Sequence, residues 1–195
     1  MRSNTLSRSR RVGLAGLLFA SSLAVAAPAA AQTGGLPGGT TSTTTTTTTT
    51  TPAPSGTAVL NPDGSATAPA DAPRPVRKAI NAGNRIRIKP YLWGGGHRSF
   101  KARGYDCSGA ISYLMHAAGL LKRPMASGPF MRWGQPGLGQ WITVYANRGH
   151  MYAVIAGLRY DTSAVGESLN QGSGPRWRAT ARSSSGYAAR YRPGL

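Results

Sequence analysis

The chain has 195 residues, with 23 Lys and Arg against five Asp and Glu, a formal charge of +18, and a single cysteine. One domain with tails is the expected scale. An intrachain disulfide is excluded by the cysteine count, and no Cys/His spacing suggests a metal site, so no cofactor is expected. The charge is uneven: 19 of the basic residues lie from Arg74 onward, facing Asp106, Asp161 and Glu167, a net of about +16 on that part.

Residues 1–32 read as a secretory signal peptide. Arg2, Arg8, Arg10 and Arg11 form a basic start, Val12 to Ala27 an apolar stretch, and Ala29-Ala30-Ala31 a small-residue cleavage site before Gln32. The apolar stretch is too short and too diluted by Gly, Ser and Ala for a membrane anchor, so no transmembrane segment is expected in the mature chain. Ser9-Arg10-Arg11 also fits twin-arginine export. Residues 33–73 hold Gly, Pro, Ala and a threonine run from Thr43 to Thr51, with no aromatic residue. Such a segment cannot bury enough apolar surface to offset its ordering entropy, and a disordered linker, or a threonine-glycosylated stalk, is expected.

The ordered part is expected over 74–195. Pro73 to Asn84 has Val76, Ala79, Ile80 and Gly83 at helical spacing, with Pro75 in the first turn. Pro90-Tyr91-Leu92-Trp93 then runs into Gly94-Gly95-Gly96, a turn where backbone can approach another segment closely. After Tyr105-Asp106-Cys107-Ser108-Gly109, residues Ile111, Leu114, Met115, Ala118 and Leu121 make one apolar helix face, with Asp106 or Ser108 as N-cap.

From Gln140 the period changes to two. Strands are expected at 141–145, at 149–156, after a tight turn at Gly157-Leu158 over 159–163, and at 186–191, with 166–185 a surface loop. Helices followed by antiparallel strands make an α+β domain.

A lone exported thiol calls for an explanation, because the thiolate is a nucleophile and a helix N-terminus favours it. Cys107 sits at such a helix start. Of the three histidines, His116 lies more than two turns along the same helix and reads as solvated. His97 follows the glycine turn beside Arg98 and reads as a basic loop residue. His150 opens a strand and suits a general base. A hairpin between 149–156 and 159–163 would bring Asp161 or Thr162 beside it to orient the ring, the alternative for Asp161 being a salt bridge to one of the many arginines.

The aromatic-Gly-Gly segment before Asp106-Cys107-Ser108-Gly109, and Gly149-His150 at a strand start, resemble the NlpC-type cysteine peptidases, papain-like endopeptidases of bacterial peptidoglycan. The resemblance spans roughly residues 76 to 163. It implies a papain-like α+β fold with the nucleophile at a helix N-terminus packed on a small antiparallel sheet, and cleavage of stem peptides after D-glutamate. It further implies Cys107 as nucleophile, His150 as base and Asp161 as orienting group, with Tyr91 reaching the thiol or oxyanion and Asp106 and Ser108 lining the cleft that receives a peptide amine. Gly139-Gln140 stands where the family has Gly-Asp, and the stretch from Pro124 to Gly139 has no counterpart in the pattern.

The expectation is therefore a secreted, wall-associated monomer that hydrolyses peptidoglycan peptides and adheres to anionic envelope polymers through its charge. Nucleic acid is not the expected partner, since no recognition motif accompanies the charge. The alternatives are an amidase or acyltransferase on the same scaffold, or a non-catalytic basic wall-binding domain.

Overall fold

The computed structural model describes residues 56–164, 173–179 and 181–195. The signal peptide expected over 1–32 and the threonine run lie outside these residues. No described helix is long and apolar enough to cross a membrane.

The first long helix, α1 (Arg74–Ile86), places Pro75 in its first turn and buries Val76, Ala79, Ile80 and Gly83, the face its spacing predicts. The second, α2 (Cys107–Ala117), begins at the cysteine and buries Ile111, Leu114 and Met115. A short turn of helix, α3 (Ser127–Phe130), follows. The remaining main elements are strands: β3 (Gln135–Pro136), β4 (Ile142–Ala146), β5 (Met151–Ile155), β6 (Leu158–Asp161), β7 (Arg176–Arg178) and β8 (Ala188–Tyr191). Among the described residues they form one antiparallel sheet in the order β3-β8-β4-β5-β6-β7. Helices α1 and α2 pack on each other, and α2 on β5, over a core that includes Ile80, Leu114, Met115, Val144 and Ile155. The fold is α+β, with the cysteine at a helix start against an antiparallel sheet.

Three differences from the sequence reading have physical causes. Residues 56–73, expected within the linker 33–73, belong to the fold: β1 (Val59–Leu60) and β2 (Ala66–Thr67) form a hairpin, and Ala58, Ala66 and Ala72 are buried. The hairpin is held by polar bonds rather than by bulk. Asn84 of α1 donates to the Ala66 carbonyl (2.9 Å) and accepts from its amide (2.8 Å), and Arg87 pairs with Asp63 at 3.0 Å.

The second difference is β7, which falls in the expected surface loop 166–185. Trp177 buries its ring on α1 and donates to the same Asn84 carbonyl oxygen at 2.8 Å. The third is the turn, which centres on Ala156 and Gly157, both at positive φ, so that Ile155 faces Leu158. This is the two-residue hairpin geometry that matches strand twist.

The glycine turn fits against the start of α2. A Cβ on Gly109 would run into the Gly95 carbonyl, and one on Gly96, at φ +87°, would meet the Gly109 backbone. Asp106 N donates to Gly95 O at 3.2 Å across the same contact. Gly109→Ala is expected to destabilise the fold by about 1–3 kcal/mol, since the obstruction is backbone and cannot rotate aside. Urea unfolding of the variant checks this.

Candidate active site

Asp106 is the N-cap of α2: its Oδ1 accepts from the Gly109 amide at 2.7 Å. Cys107 is thus the first helical residue, partly exposed, beside the positive end of the helix. His150 is placed by the turn between β4 and β5. The Asn147 side chain accepts from the amides of Gly149 (2.9 Å) and His150 (2.8 Å), while Asn147 N donates to the His150 carbonyl at 2.9 Å. This Asx turn fixes the backbone that carries the imidazole.

His150 Nε2 donates to Asp161 Oδ1 at 2.8 Å. In the β5–β6 register Ala153 faces Tyr160, which puts Asp161 level with Tyr152 and one diagonal step from His150. Of the two expected candidates, the Asp161 carboxylate makes the bond, while Thr162 is buried beside it. With Nε2 committed to Asp161, Nδ1 is the nitrogen left to face Cys107, whose side chain lies close enough to raise the pKa of the ring.

Burial alone would lower the His150 pKa. The hydrogen bond that the ring donates to Asp161, the nearby Cys107 side chain and the charges of both outweigh it and raise the value to about 9. The imidazolium is therefore the favoured form at neutral pH. Burial likewise pushes Asp161 up, but the bonds from His150 and the Ser163 amide and the charges of His150 and Arg182 win, and its pKa is lowered.

A second layer holds that carboxylate. Arg182 donates to Asp161 Oδ2 at 3.0 Å and to the Tyr187 hydroxyl at 2.8 Å, and its guanidinium lies 5.4 Å from the ring centres of both Tyr152 and Tyr187. Tyr187 in turn meets His150 edge-on, with centroids 6.5 Å apart. Arg178 donates to the Asp161 carbonyl at 3.2 Å. Asp161 thus serves the histidine and an arginine together, the two roles that sequence reading set as alternatives. Arg182 lies within the stretch 166–185 that reads as a surface loop and Tyr187 in the strand expected at 186–191, and neither position carries a local signal of a bond reaching Asp161.

Tyr91 bridges to Tyr105 in the backbone and is partly exposed. Its hydroxyl pKa is raised by burial, then by the charges of Cys107 and Asp106, which keeps it protonated as a donor. Asp106 is buried, with Oδ2 accepting from Gly94 N at 3.1 Å, and Ser108 donates to its Oδ1 at 3.2 Å.

His97, read from the sequence as a basic loop residue, is instead part of this group. Its Nε2 lies 2.8 Å from Asp106 Oδ2, 3.0 Å from Oδ1 and 2.9 Å from Ser108 Oγ. His116 stays apart, stacked on Phe100 at 3.9 Å with Nδ1 donating to Leu121 O. Among the described residues no group of three or more His, Cys, Asp or Glu is arranged to hold a metal ion.

The arrangement is a thiol at a helix start, an imidazole within its reach, and a buried carboxylate behind the imidazole. Chemically it can take up and return a proton while a sulfur nucleophile attacks an acyl carbon.

No protein-family profile and no curated protein sequence matches the chain. Among solved structures it is similar to RipD of Mycobacterium tuberculosis, described as a non-catalytic NlpC/p60 domain protein adapted to peptidoglycan binding, at 23% identity and TM-score 0.44 over 61% of this chain and 98% of that one. It is similar to RipB of the same organism, a peptidoglycan hydrolase, at 17% identity and TM-score 0.44 over 64% and 72% of the two chains. It is also similar to the P60 domain of an antigen of M. avium paratuberculosis, at 22% identity and TM-score 0.44 over 60% and 93%.

Proposed function

We propose that this protein is a secreted cell-wall hydrolase that cleaves peptide bonds in peptidoglycan stem peptides by Cys-His catalysis. The observation that carries the reading is the geometry of the site: His150 is bonded to Asp161 at 2.8 Å, and Cys107, which opens α2, lies close enough to the ring to shift its pKa. The substrate class follows from the motif around Tyr91 and Cys107 and its likeness to NlpC-type peptidases. The basic surface supports retention on anionic wall polymers.

In this reading the Cys107 sulfur attacks the carbonyl carbon of the scissile amide. Gly109 N and Ala110 N are committed to Asp106, so among the described hydrogen bonds the amides of Cys107 and Ser108 are left at the helix start for the oxyanion, with the Tyr91 hydroxyl as a further donor. His150 then protonates the departing amine, leaving a thioester on Cys107. Water, deprotonated by His150, attacks the thioester and releases the acid. Asp161 keeps Nε2 protonated and the ring oriented through both steps.

Digestion of purified muropeptides, read by mass spectrometry, tests this. Products should gain one water, whereas transfer to another acceptor would not. Equal products from the wild type and from Cys107→Ala would sink the reading. Because RipD is non-catalytic, a cheaper measurement is useful beside it: iodoacetamide at pH 6 should alkylate Cys107 faster than free cysteine. A rate no higher than that of free cysteine would favour wall binding without chemistry.

A further inference from the structure

The segment between α1 and the glycine turn exposes apolar side chains in a cluster. Ile88 is 74% exposed, Leu92 49% and Trp93 85%, with Pro90 exposed between them. Single exposed apolar residues are ordinary, whereas a contiguous group marks a contact surface. Trp93 also differs from the other three tryptophans, since Trp133, Trp141 and Trp177 are buried.

The backbone builds this exposure in. Tyr105 N donates to the Pro90 carbonyl at 3.1 Å and Leu92 N to the Tyr105 carbonyl at 3.3 Å. Gly104 fits beneath, where a Cβ would run into the Pro90 carbonyl and the Leu92 side chain. Gly95 N then donates to Leu92 O at 2.9 Å and closes the turn at whose head Trp93 stands. These backbone bonds are made inside the fold, while the side chains of Leu92 and Trp93 are held outward.

The rim of the cluster is cationic. Arg85, Arg87, Lys89, Arg98, Lys101 and Arg103 fall within 85–103, and no Asp or Glu stands between Asp71 and Asp106. Arg87 pairs with Asp63, but Arg98, Lys101 and Arg103 are exposed and make no ion pair among the described residues.

We propose that this segment is a membrane-contacting surface, on which Ile88, Leu92 and Trp93 enter the interface of an anionic lipid bilayer while Arg98, Lys101 and Arg103 meet its headgroups. Three features favour lipid over the hydrated polymers of a wall. Aliphatic Ile88 and Leu92 gain by leaving water for acyl chains, a tryptophan suits the headgroup boundary, and the rim carries one sign of charge. Adhesion through charge spread over the whole domain would make no use of the apolar residues. The inference goes beyond the proposed function and does not depend on it.

The test mixes the full chain with vesicles of phosphatidylcholine and phosphatidylglycerol in a ratio of about 7:3, their acyl chains brominated to quench tryptophan. Because Trp93 alone of the four tryptophans is exposed, quenching and a blue shift of the emission report this surface. Both should occur on the anionic vesicles and be weak on phosphatidylcholine alone. Ile88→Ser with Leu92→Ser, which keeps the reporter, should weaken partition at least about tenfold. Arg98→Gln, Lys101→Gln and Arg103→Gln together should weaken it about 100-fold. Residues 12–27 are common to every variant, so differences between variants read the segment itself. The substituted side chains are exposed, so melting midpoints should stay at the wild-type value.

No quenching on anionic vesicles, or equal quenching on both kinds, would overturn the inference. Partition unmoved by Ile88→Ser with Leu92→Ser would do the same, assigning adhesion to charge elsewhere on the domain. A blue shift on purified glycan strands with none on vesicles would make the segment a carbohydrate surface and also overturn it. Cys107→Ala should partition as the wild type does, so this inference and the proposed catalysis stand or fall separately.

Discussion

Cys107→Ala should lower the turnover of muropeptides by about 10⁴-fold or more while leaving the thermal midpoint close to that of the wild type. The size follows from what is lost: without the sulfur there is no covalent intermediate, and the residual rate reflects only binding and oxyanion donors, which leave about 10³–10⁴ over water in other nucleophilic hydrolases. The fold should survive because Cys107 is only partly buried, and the helix start is held by Asp106, whose bonds to Gly94 and Gly109 do not involve the thiol. Steady-state kinetics beside a melting curve separates the two effects. A loss of activity matched by unfolding would deny the cysteine a chemical role.

Asp161→Asn should have the next largest effect, a fall of about 10²–10⁴ in kcat, because an amide can present its own donor to Nε2 and set the ring in the wrong tautomer. It should also move the alkaline limb of kcat/KM. In the wild type the imidazolium is held to about 9. Without the Asp161 charge that limb should slide toward the ordinary histidine value of about 6.5.

Stability follows with opposite signs for the two partners. The raised His150 pKa means its stabilising share is complete below about pH 6.5 and lost as pH climbs through about 9. The lowered Asp161 pKa means its share is complete above about pH 3.9 and lost as the carboxylate protonates on acidification. Thermal melts across this range should show a plateau between those limits, and in Asp161→Asn the decline above pH 6.5 should flatten.

How far the sequence is legible differs from element to element. The apolar spacing of Ile111, Leu114 and Met115 predicts α2, and Asp106 before it predicts the cap, because both depend on residues within a turn or two of each other. The same holds for the β-branched and aromatic residues of β4 and β5 and for Val76 to Gly83 in α1. The hairpin of residues 59–67 and strand β7 are different. Their composition predicts a linker and a loop, and both are held by Asn84, whose side chain meets Ala66 and the Trp177 indole from 18 and 93 residues away in sequence. No local periodicity records such a bond.

The site divides along the same line. Sequence alone determined that the single cysteine begins an amphipathic helix, that a histidine opens a strand and that Asp161 lies on the strand after it, since each is a statement about neighbours along the chain. Only the tertiary structure decided that His150 bonds Asp161 rather than Thr162, that Arg182 and Tyr187 brace that carboxylate, and that His97 leaves its basic loop to close on Asp106 and Ser108. Those contacts exist because a twisted sheet and a glycine turn bring distant side chains within about 3 Å, and hydrogen bonds form only at such distances.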